Sequence, residues 1–211
     1  MSRMKESLED LFLQISNVYS NDRNIIDTWW QRIQTAYAEK HRHYHNLNHI
    51  KSVIDELYSC KDDINDWEAT CLAAFFHDIV YEPLRKDNEE RSADVADIYL
   101  SNLNMPEKQR NSTRQFIIAT KKHEPLKTAD INYFTDADLS VLGWPLPLYE
   151  NYVRQIREEY KWYPDLIYKP GRRKVLEHFL KMDRIFKTDY FYSKYEVRAK
   201  ENILSELARY K

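Results

Sequence analysis

His77 and Asp78 stand side by side in AAFFHDIVYEP, residues 73–83, the most apolar stretch of the chain. An unpaired buried carboxylate is very costly, so Asp78 requires a cation, a hydrogen-bond network or solvent at a cleft. A lone histidine there reads as a hydrogen-bonded core residue. The pair reads differently, because neutral imidazole and carboxylate are both good ligands for a divalent ion.

Two further ionisable residues fall on inward helical faces. His49 lies about 40° from Val53, on the stripe of Ile50, Val53, Ile54 and Leu57. Asp138, seven residues after Ile131, is only about 20° off it, whereas Asp136 is about 160° from Asp138 and faces elsewhere. The competing explanation for Asp138 is a salt bridge to a buried arginine. His45 sits one turn before His49, in a segment (HRHYHNLNH) that holds four of the seven histidines and otherwise reads as a polar loop. His49, His77, Asp78 and Asp138 together form a thiolate-free set suited to a hard-to-borderline divalent ion.

The elements that must position these residues are helical almost throughout, and the expected fold is all-α. Helices are expected over residues 5–19, 23–39, a stretch holding Ile50 to Tyr58, and 66–80. The latter is apolar on nearly every side and reads as a central buried helix. Asp87 with Glu90 predicts a capping box for a helix over 88–103, and Pro106 suits the first turn of one running to 122. A helix over 129–142 ends before Gly143 and the Pro145/Pro147 pair. Helices near 147–160, 172–187 and 193–209 complete the chain, the last with a Ser193/Glu196 capping box, and 164–171 reads as a linker-like break.

Composition narrows the class. The 211 residues include 2 Gly against 16 Tyr and 8 Phe, which disfavours Gly-loop nucleotide folds and turn-rich sandwiches. With 32 basic and 34 acidic residues, no field for a nucleic-acid polymer or a membrane surface is expected. Two cysteines make no disulfide framework or zinc ribbon. The charged N-terminus has no apolar signal region, and no segment approaches the roughly 18 apolar residues of a membrane span, so a cytoplasmic single domain over 1–211 is expected.

RHYHNLNHI, AAFFHDIVYEP, DNEERSA and TDADLSVLG, in this order, resemble the HD superfamily of metal-dependent phosphohydrolases, and more narrowly an uncharacterised bacterial branch of it. YKPGRRKVLEHFL and EVRAKENILSEL extend the likeness over about residues 25–207. The resemblance implies an HD-type helical bundle with metal-site helices over 45–142. It matches the ligands to His49, His77, Asp78 and Asp138, holding one or two ions of Mn, Fe, Mg, Co, Ni or Zn. It departs from many signalling members, which continue the doublet as HDIGK.

Such an ion would lower the pKa of a water and polarise a phosphoryl oxygen of a small phosphorylated substrate, plausibly a nucleotide. Asp78 is the residue placed to bridge two ions. Arg42 could contact phosphate or be a solvated loop residue. His123 could be a further ligand, a proton donor or an exposed helix-end histidine. Glu89 is a supporting or general-base candidate, and His45 and Arg172 are substrate-contact candidates. The competing functions are an HD-type di-iron oxygenase and a non-catalytic metal-dependent binding module. A homodimer through the C-terminal helices is an additional expectation.

Overall fold

The stripe of Ile50, Val53, Ile54 and Leu57 is buried in a helix over Leu47–Tyr58, and the same periodicity builds the rest of the molecule. The structure, a computed structural model, describes residues 6–210. In chain order the helices are α1 (Leu8–Ser16), α2 (Arg23–Tyr37), α3 (Leu47–Tyr58), α4 (Trp67–Phe76) and α5 (Asn88–Asn102). They continue with α6 (Glu107–Ala119), α7 (Ala129–Leu139), α8 (Leu146–Glu159), α9 (Asp165–Lys181) and α10 (Asp189–Leu207). There is no strand among the described residues, and the fold is all-α. None of the helices is long and apolar enough to cross a membrane. Residue 5, where the first helix is expected to start, lies outside the described residues.

Every residue of α4 from Ala69 to Phe76 is buried, as its all-round apolarity requires. It packs against α1, α3, α5, α6 and α7. One continuous core runs from Leu11 to Ile203, joining the N-terminal helices to α9 and α10 in a single domain. A short 3₁₀ turn, Ser140–Gly143, carries the chain from α7 toward α8 against α10. A Cβ on Gly143 would lie 2.5 Å from Tyr195 Cβ, so only glycine allows that approach.

Four local expectations are corrected. The central helix ends at Phe76 rather than residue 80, and His77 is its C-cap. Residues 164–171 are not a break, because α9 begins at Asp165 with Pro170 inside it. A proline there obstructs the carbonyl of Leu166, in the helix's first turn, and Leu166 is 87% exposed, so that carbonyl is free to meet water. Asp87 forms no side-chain cap, because Arg85 holds its carboxylate at 2.7 and 2.8 Å while Lys121 takes Glu90. Charge-assisted pairs outcompete a neutral N–H cap. Finally, Thr188 caps α10, placing Ser193 inside the helix, and Glu196 instead accepts from the backbone of Ile185 and Phe186.

Candidate metal centre

Asn46 caps α3 and sets His49 in its first turn, on the buried face beside Ile50 and Val53. His77, at the end of α4, donates Nδ1–H to the carbonyl of Ala74 at 2.9 Å. That bond fixes Nδ1–H and leaves Nε2 facing the cluster, the orientation a metal-binding imidazole requires once Nε2 gives up its proton. Asp138 lies on the last turn of α7, its carboxylate facing the same point. The expected inward faces of all three helices are therefore realised.

Donor atoms of His49, His77 and Asp138 lie within 4.8 Å of one another. The two Nε2 atoms are 3.1 Å apart, and Asp138 Oδ1 is 3.2 Å from His49 and 3.6 Å from His77. Asp78 Oδ2 adds a fourth donor, 3.1 Å from His77 Nε2 and 3.8 Å from His49 Nε2. Mostly lone pairs meet here, and a single proton can serve only one such contact. A divalent cation serves all four, and this nitrogen and carboxylate set fits a borderline-to-hard ion. Cys60 and Cys71 are buried away from the cluster, and burial pushes both thiols up, Cys60 to about 12.

The electrostatics follow from the same crowding. Burial alone would depress His77, but Asp78 and Asp138 outweigh it and hold the imidazole well above its ordinary value. Burial would raise Asp138, yet hydrogen bonds from His123, His49 and His77 hold it well below the carboxylate range. Asp78 is likewise lowered, against burial, by His77 and His45. No arginine reaches Asp138 among the contacts of the described residues, so the salt-bridge alternative is not what fixes it.

His123 donates Nε2–H to Asp138 Oδ2 at 2.9 Å. It does so from a left-handed backbone conformation, φ 53°, at a position after α6 where glycine is usual. A non-glycine residue there costs on the order of 1–3 kcal/mol, strain of the kind that gathers at functional sites. Burial lowers its pKa, so the ring favours the neutral form.

The site opens into a cavity of about 530 Å³. His45 lines it, with Nδ1 bonded to Glu159 Oε2 at 2.7 Å and its ring stacked on Tyr81. Glu89 also lines it, and burial raises its carboxyl.

Two expected substrate contacts are reassigned. The Arg42 side chain is buried and its guanidinium donates to the carbonyls of Asp78 and Ile79 and to Glu39, so it is not available to phosphate. The carbonyls just beyond the end of α4 need donors, and Arg42 supplies them. Arg172 reaches the cavity wall, but its fork is occupied by Glu206 at 2.9 and 3.1 Å.

Glu159 is the residue that sequence reasoning missed. It is buried and accepts from the backbone of Tyr44 and His45, from His45 Nδ1 and from the Tyr81 hydroxyl. The signal was present, since Glu159 follows Tyr152 by seven residues and is about 20° off it.

No protein-family model matches this chain, and no curated protein matches it. The all-helical fold with its His/His/Asp cluster is compatible with an HD-type fold and could hold a metal ion.

Proposed function

We propose that the protein is an HD-type, metal-dependent phosphohydrolase of a small phosphate ester. His49, His77, Asp78 and Asp138 would hold the ion. The observation that carries this reading is the convergence of the His49, His77 and Asp138 donor atoms beside a ligand-sized cavity that His77, Asp78 and Asp138 line. When bound, the ion supplies a water of lowered pKa and polarises a phosphoryl oxygen.

The chain's own residues do the remainder. The Ala74 carbonyl keeps the His77 tautomer, and His123 fixes the orientation of Asp138. Hydrolysis forms a bond from a water oxygen to phosphorus and breaks the ester P–O bond. The water loses a proton, the leaving oxygen gains one, and the products are inorganic phosphate and an alcohol. Glu89, its carboxyl raised by burial, is the cavity group suited to take the proton. His45, whose pKa burial lowers but Glu159 and Asp78 raise on balance, is the group suited to give one to the leaving oxygen.

A di-iron oxygenase would need His45 and His123 as additional ligands. The Nε2 atom of His123 is already held by Asp138, which leaves that ligand set a histidine short and favours hydrolysis. A screen of phosphate monoesters with Mn, Mg, Co, Ni and Fe tests the reading. Turnover with at least one ion, abolished in Asp138→Ala, is expected. No turnover with any ion, together with unchanged ligand affinity in Asp138→Ala, would overturn it.

A further inference from the structure

The half of the cavity away from the metal centre has a composition of its own. Tyr152, Tyr160, Tyr163 and Tyr168 line it, flat surfaces that favour stacking against a ring. Tyr168 is 8% exposed and its hydroxyl is sealed from solvent, so it meets the cavity through the rest of its side chain and not through its oxygen.

Gly171 lines the same cavity from the interior of α9. A Cβ built there meets nothing within 4 Å, and no positive φ requires glycine at this position. Glycine is a poor helix former, so neither backbone nor packing accounts for it. It does leave open volume beside the tyrosines.

The charges set a limit on what enters. The cavity's two guanidinium groups are committed, Arg85 to Asp87 and Arg172 to Glu206. The carboxyl groups that line it are Asp78, Asp138 and Glu89. One phosphate is accommodated by a bound ion, and a second phosphate would find no unpaired guanidinium on these walls.

We infer that this half of the cavity holds the alcohol part of the ester, and that the alcohol carries a flat, largely apolar ring and no second phosphate. Gly171 is then a specificity-determining residue. The inference rests on the phosphohydrolase reading for the location of the phosphate, but its test is an equilibrium one.

Affinities of methylphosphonate, a naphthylmethylphosphonate, and the same compound with a second, remote phosphonate would be measured by titration into the metal-loaded protein. The ring compound is expected to bind about tenfold more tightly than methylphosphonate. The second phosphonate is expected to weaken it. Gly171→Leu should remove the ring preference while keeping methylphosphonate affinity, metal affinity and thermal midpoint. Equal affinity for the ring and methyl compounds, or a ring preference that survives Gly171→Leu, would overturn the inference. Ring binding without turnover of any ester would sink the hydrolase reading alone, whereas turnover with no ring preference would sink this one alone.

Discussion

Two clusters of buried charge lie in this molecule, and they are built on opposite principles. At the C-terminal end, Glu206 accepts from Arg172 Nε and NH2, from the Tyr149 hydroxyl and from the Tyr210 hydroxyl. Four donors meet two carboxylate oxygens, and the planar fork matches the carboxylate geometry. At the other cluster, His49, His77, Asp78 and Asp138 face one another with lone pairs in excess of hydrogens. Burial of charge is common to both. The donor–acceptor balance separates them, and it makes the second a group that could hold a cation.

The largest effect expected is on the balanced cluster. Arg172→Met leaves Glu206 buried without its cation and should destabilise the fold by about 3–5 kcal/mol. Denaturant unfolding would measure that loss, and metal affinity of the folded fraction should be unchanged. In the unbalanced cluster the expectation reverses. Asp138→Ala should weaken metal binding by more than the roughly 100-fold that loss of a supporting hydrogen bond can cost. Its metal-free thermal midpoint should move far less than that of Arg172→Met.

His123→Gly separates support from fold more finely. It removes the hydrogen bond to Asp138 but relieves the left-handed backbone, so metal affinity should fall about 10–100-fold while the thermal midpoint holds. An affinity unchanged in that variant would assign His123 a purely structural role.

The pH dependence turns on Glu159. The His45 ion pair and the backbone donors outweigh burial and hold its carboxyl down at about 2. A depressed carboxyl stabilises the fold above its unfolded value and loses that contribution as the pH falls through the folded one. Glu159 should therefore help to destabilise the protein between about pH 4.5 and 2. Glu159→Gln should flatten the stability profile across that window.

How far the sequence carried this distinction is visible in three residues. Asp138, Glu159 and Glu206 each follow an inward residue by seven positions, Ile131, Tyr152 and Ala199, and each is buried or nearly so. Helical arithmetic places all three on inner faces, but it cannot say whether the facing element brings a histidine, a hydroxyl or a guanidinium. The apolar core, the all-α class and the inward placement of His49 and Asp138 were legible because they depend on periodicity within one helix. The pairing of Arg172 with Glu206, the Glu159–His45 contact and the retraction of Arg42 onto α4 depend on contacts spanning tens of residues or more, which spacing does not encode. Residues 164–171 misread for a local reason, since Pro170 and Gly171 signal a break that a solvent-facing first turn tolerates.

The central claim is that the His49, His77, Asp78 and Asp138 cluster is a divalent-cation site. Calorimetric titration of Mn²⁺ and Co²⁺ into metal-free protein, repeated across pH, addresses it most directly. His77 is held protonated by its carboxylate neighbours, and the ion must displace that proton. Binding should therefore release protons, tighten as pH rises, and be lost in His77→Ala and Asp138→Ala. No binding of any divalent ion, or equal affinity in wild type and Asp138→Ala, would contradict it.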